Sequence, residues 1–113
     1  MPSFQRDADA LLDPEELDEL KTRLAWNPAK GALITGTGGV RKLRVGLRQR
    51  KTGKRGGARV IYYYHDLSMP LALLAIYAKS EKQDLSAAEK KVIRALVADY
   101  VAAHKDRNPS DTR

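Results

Sequence analysis

Two helix-start signals bracket the chain, and between them lie three segments that read as strands. At Asp13-Pro14-Glu15-Glu16, Asp13 is a capping residue, Pro14 suits the first helical position, and Glu16 is placed to return a hydrogen bond to the cap. Leu17, Leu20 and Leu24 follow at helical spacing. Asn27-Pro28 ends that run, because the residue before a proline is driven out of the helical region. A shorter helical stretch precedes it, with Phe4, Ala8, Leu11 and Leu12 apolar, and Trp26 reads as a packing anchor. The second signal is Ser86 with Glu89 three residues on; Val92, Ile93, Leu96, Val97, Tyr100 and Val101 then form an apolar helical stripe. From about residue 105 the chain is a polar tail.

Between the helices, Gly36-Thr37-Gly38-Gly39 turns into Val40-Arg41-Lys42-Leu43-Arg44-Val45, where alternation sets Lys42 and Arg44 opposite Leu43 and Val45. A basic, Gly-rich loop over 46–57 leads to Ala58-Arg59-Val60-Ile61-Tyr62-Tyr63-Tyr64-His65, which is β-branched and aromatic as strands are. The turn Asp66-Leu67-Ser68-Met69-Pro70 precedes a continuous apolar run, Leu71 to Ala78, that reads as a central strand buried on both faces. Helices, then strands, then a helix, without a repeat, predict one α+β domain over residues 1–113. Its sheet is small and mostly antiparallel, with the N-terminal helices and the C-terminal helix packed on one face. The other face is then open and carries Lys42, Arg44, Arg59 and Lys79, with Tyr63 beside them; Tyr62 and Tyr64 point to the core.

The charge pattern sharpens that expectation. The chain is +7 overall, yet residues 1–30 hold seven acids against four bases. Residues 66–113 are nearly balanced, with seven acids and eight bases. Between Gly31 and His65 there are nine Lys or Arg and no acid: Arg41, Lys42, Arg44, Arg48, Arg50, Lys51, Lys54, Arg55 and Arg59. A charge run is usually a solvated face, but acid-free basic chain of this length attracts a polyanion by counterion release and field focusing. Cations on a sheet with a ring such as Tyr63 among them suit an RNA strand, phosphates meeting the charges and bases stacking on the ring.

Other classes are disfavoured. There is no cysteine for a disulfide or a thiolate metal site, no His/Asp/Glu cluster has metal-ligand spacing, and no metal or other cofactor is expected. No apolar run is long enough for a membrane span, and the polar, acidic N-terminus does not read as a signal peptide, so a soluble cytoplasmic protein is expected. Gly36-x-Gly38-Gly39 leads into a strand rather than a helix and lacks the Gly-Lys-Ser/Thr ending, so it is not a phosphate-binding loop. His65, where a strand meets the Asp66 turn, invites a ribonuclease-style acid or base reading but reads more readily as a surface residue, and His104, late in the last helix, is given no chemistry.

Three blocks in order, residues 36–45, 54–64 and 75–85, resemble the HigB branch of the RelE toxin family, together with the helices around them. The resemblance spans Phe4 to Val101 and departs at the N-terminus, where the strand that usually precedes the first helix has no counterpart. It implies a RelE-like fold and the toxin half of a type II toxin–antitoxin pair that enters the ribosome and cleaves mRNA. The cognate antitoxin would be a HigA-like helix-turn-helix protein. The paired basic positions of the family's second strand fall on Lys42 and Arg44, the arginine that grips the scissile phosphate on Arg59, and the basic position after the last strand on Lys79 or Lys82. Lys51, Lys54 and Arg55 would add contacts to the RNA from the loop.

The implied reaction is metal-independent endoribonuclease chemistry: a 2′-hydroxyl loses its proton and attacks the adjacent phosphate, and the 5′-oxygen leaves protonated. Arg59 is the clamp, since a guanidinium binds phosphate oxygens bidentately and stays charged. Lys42 is the expected base, on the argument that neighbouring cations disfavour its own charge. Arg44 and Lys79 would offset charge on the phosphorane. The rival readings are a basic domain that binds RNA without cutting it and a ParE-like toxin directed at gyrase.

Overall fold

Both capping boxes form. The Glu16 N–H donates to Asp13 Oδ1 at 2.7 Å and the Asp13 N–H to Glu16 Oε1 at 3.1 Å. The Ser86 N–H donates to Glu89 Oε1 at 2.9 Å and the Glu89 N–H to Ser86 Oγ at 3.1 Å. Each box satisfies two of the N–H groups that a helix start leaves without partners. In the computed structural model, which describes residues 4–46, 57–66, 69–81 and 84–107, these boxes start α2 (Pro14–Trp26) and α3 (Ala87–Arg107). A first helix, α1 (Phe4–Leu11), precedes them, and α2 stops at the Asn27-Pro28 signal.

Four strands form one antiparallel sheet in the order β1 (Ala32–Leu33), β2 (Val40–Val45), β3 (Ala58–Tyr63), β4 (Ala72–Ala78). The α+β class is therefore as the sequence predicts. β1 is a two-residue addition that pairs Ala32 with Lys42 and Leu33 with Arg41, along the outer edge of β2. A very short edge strand leaves little backbone open to another chain.

The position of α3 corrects the one-face expectation. Leu11, Leu12, Leu20 and Leu24 of α1, α2 and the residue after α1 bury against Leu43, Val45, Val60, Tyr62 and Ile76 on one face. Ile93 and Val97 of α3 bury against Val40, Ile61, Tyr63, Ala75 and Tyr77 on the other. The sheet is thus the middle layer of three. All six residues of β3 are buried, because both its faces are covered and both its edges paired. β4 corrects a second expectation: it is an edge strand, and its apolar run reflects helices on both faces rather than a central position.

Tyr62 ties the loop after α2 to the sheet. Fully buried, it donates its hydroxyl to the Pro28 carbonyl and accepts from the Gly31 N–H, both at 2.8 Å. Arg41, on the same face, donates Nη1 to the carbonyls of Ala29 at 3.1 Å and Gly31 at 2.8 Å, so this cation braces a loop. The 36–39 turn is braced too: buried Thr37 donates to the Ile34 carbonyl at 2.6 Å and accepts from the Val40 N–H at 3.2 Å. Trp26 is 85% exposed and anchors nothing, contrary to expectation. It is the last residue of α2, where the helix face turns outward.

Candidate nucleic-acid interface

Strand register assembles the cations. Arg44 of β2 lies directly opposite Arg59 of β3, and Arg59 directly opposite Tyr77 of β4, so the three form one row across the sheet. Directly opposed residues have Cβ atoms about 4.5–5.5 Å apart, so this row packs two guanidinium groups and a phenol together. Lys42 stands one step along β2 on the same face, opposite Ile61. α3 packs on this face in one cluster with Val40, Ile61, Tyr63, Ala75 and Tyr77. Lys42 is half-buried and Arg44 exposed, so the cationic end of the face stays reachable.

Arg59 is the unusual member. It is only 4% exposed, and among the described residues its guanidinium has one hydrogen bond, Nη1 to the Ala58 carbonyl at 3.2 Å. A guanidinium carries five N–H donors, and among the described residues no Arg59 nitrogen is sealed from solvent without a partner, so the donors not spent on Ala58 remain open to an incoming group. Such a group is a ready receptor for an anion with two oxygens, which a phosphodiester supplies. Tyr77 beside it is held neutral: burial first, then Asp84 and Glu89, push the phenol above its ordinary 10.0, against the opposing pull of Arg59. The row therefore sets an un-ionised phenol beside two guanidinium groups.

Asp84 joins this group from the turn that follows β4. Its Oδ1 lies 2.6 Å from Lys42 Nζ. The Lys42 hydrogen bond, then the Lys42 charge, with smaller pulls from Lys90 and Arg59, holds this carboxyl below its ordinary 3.8. Lys42 thus has a carboxylate in direct contact as well as the neighbouring cations that the sequence predicts. Sequence reasoning missed Asp84, while strand parity sets Tyr77 on the Lys79 face, as found. Nothing local marks an acid just ahead of the Ser86 cap as the partner of a residue 42 positions earlier.

The remaining predicted residues divide. The Lys79 N–H bonds the Gly57 carbonyl at 2.9 Å, which brings its backbone to the Arg44–Arg59 end of the sheet. Tyr63 does not serve as an open stacking ring. It is 6% exposed, packs edge-on to Tyr100 of α3 with centroids 6.4 Å apart, and shares a 3.1 Å hydrogen bond with His65 Nδ1. Tyr63 is also four residues from Arg59 along β3, about 13 Å at strand rise, which places it and His65 toward the other end of the sheet. Lys51, Lys54, Arg55 and Lys82 lie outside the described residues. Among the described residues no three His, Asp or Glu side chains gather as a metal would require, and no helix is long and apolar enough to cross a membrane.

The fold is thus a three-layer α+β domain with a cationic row at one end of its sheet. A protein-family model described as the RelE toxin of the RelE/RelB toxin–antitoxin system matches residues 4–108. The match takes in nearly the whole chain, and the protein belongs to the RelE toxin family.

Proposed function

We propose that this RelE-family toxin is a ribosome-dependent endoribonuclease that cleaves mRNA and so arrests translation in the cytoplasm. One observation carries the reading: a nearly buried Arg59 guanidinium, with a single hydrogen bond among the described residues, faces Arg44 and Tyr77 across the sheet. As the 2′-hydroxyl attacks, negative charge builds on the non-bridging oxygens, and fixed donors aimed there act on the transition state more than on the bound substrate. Arg59 grips those oxygens, Arg44 and Lys79 offset the added charge, and Lys42 holds a phosphate of the same strand. Lys51, Lys54, Arg55 and Lys82 are proposed to track the flanking backbone.

The family membership supports an antitoxin partner, and the resemblance to the HigB branch points to a HigA-like helix-turn-helix protein as that partner. Induced expression followed by mapping of mRNA 5′ ends tests the reading. New 5′ ends within translated messages, abolished when initiation is blocked, are expected. Cleavage of free RNA at an equal rate would remove the ribosome from the account. Growth arrest with messages intact would favour binding without cleavage.

A further inference from the structure

We propose that Asp84 is an internal stand-in for phosphate that occupies Lys42 until an RNA backbone displaces it. The inference rests on the nuclease reading and adds a device that decides which RNA engages the site. The contact is short and charge-assisted, with Lys42 Nζ and Asp84 Oδ1 2.6 Å apart. Exposure gives it a direction: the Asp84 side chain is 71% exposed and the Lys42 side chain 28%. The carboxylate thus lies on the solvent side of the ammonium, and an approaching strand meets it first. Asp84 also lies within the fields of Arg59 and Lys90, so its charge answers the cationic end of the sheet and not Lys42 alone.

A carboxylate and a phosphodiester each present one negative charge on two equivalent oxygens. Exchanging one for the other at Lys42 keeps the ammonium paired, and an exposed Asp84 is rehydrated as it leaves. A lone phosphate ion therefore gains little by displacing it. A strand already held at Arg59 and Arg44 competes at high local concentration and wins. Asp84 in this way makes the site respond to a polyanion anchored at several points and discriminates against scattered anions. It is a specificity-determining residue that acts through Lys42.

The test measures binding of a short 2′-O-methyl oligoribonucleotide, which cannot be cut, by fluorescence anisotropy across a salt series. With Lys42 released, Asp84→Asn is expected to bind about two- to fivefold more tightly at moderate salt, the range of a single exposed ion pair. One added phosphate contact also steepens the slope of log affinity against log salt by about 0.7 for a single strand. Asp84→Ser must move both quantities in the same direction. Lys42→Met must cost more affinity in the Asp84→Asn background than in the parent protein, because in the parent Lys42 is occupied. Unchanged or weaker binding by the Asp84 variants, with an unchanged slope, overturns the proposal while leaving the nuclease reading intact. Failure of the parent and every variant to bind at low salt also overturns the proposal, while the mapping of mRNA 5′ ends decides the nuclease reading separately.

Discussion

Removing one oxygen from Tyr62 should loosen the whole domain. The hydroxyl is fully buried, accepts from the Gly31 N–H and donates to the Pro28 carbonyl, each at 2.8 Å. Tyr62→Phe deletes both bonds and keeps the ring. Each is worth about 1 kcal/mol net, and a buried donor left without a partner adds about 1 kcal/mol or more. Gly31 is buried while Pro28 is half-buried, so water can rescue the carbonyl but not the N–H. The expected loss is about 2–3 kcal/mol, a large share of the roughly 5–15 kcal/mol that holds a domain folded. With a urea slope near 1.5 kcal/mol/M, the unfolding midpoint followed by circular dichroism should drop by about 1.3–2 M. Tyr64→Phe is the control, since among the described residues the Tyr64 hydroxyl makes no hydrogen bond; it should stay within about 0.5 kcal/mol. A Tyr62→Phe midpoint that falls no further than the Tyr64→Phe midpoint would refute the reasoning.

Gly31→Ala should destabilise even in the Tyr62→Phe background, because a Cβ there meets the Lys42 carbonyl oxygen at 2.9 Å as well as the Tyr62 ring; chemical denaturation of the double variant checks it. The Asp84 carboxyl should titrate below its ordinary 3.8 by NMR and return toward it in Lys42→Met. Because that value is depressed in the folded state, the contact's contribution to stability is present above 3.8 and is lost as pH falls through the lower folded value. Trp26→Ser should leave stability within about 0.5 kcal/mol, the usual range for a surface site, and Trp26 fluorescence should match a water-exposed indole. Tyr63→Ala, by contrast, empties the contact with α3 and should cost about 3–5 kcal/mol, as large aromatic deletions do.

Much of the local structure was legible because its causes are local. Asp13 with Glu16 and Ser86 with Glu89 specify helix starts through bonds spanning three residues. Alternation along β2 separates Lys42 and Arg44 from Leu43 and Val45, and the fold keeps them apart. The helix-to-sheet assignment was not local. The stripe of Ile93 and Val97 would suit either sheet face, and nothing within α3 selects one. A sign of the answer did lie in β3, where Val60 and Tyr62 on one face and Ile61 and Tyr63 on the other are all apolar. A strand with an open face would not read so. For the site, the basic positions stand out by charge alone. Arg41 is distinguishable only by parity, since it braces the Gly31 loop while its neighbour Lys42 faces Asp84. Asp84 was hidden because its role depends on the sheet returning the chain across 42 residues to β2.

In the proposed reaction Arg59 holds the reacting phosphate. Single-turnover cleavage of a defined mRNA on programmed ribosomes tests it most directly, comparing the parent protein with Arg59→Gln after circular dichroism has shown both folded. Loss of one fixed donor to developing charge should slow cleavage by about 10²–10³-fold. A variant that cuts within about threefold of the parent, a barrier change below 1 kcal/mol, would contradict the account.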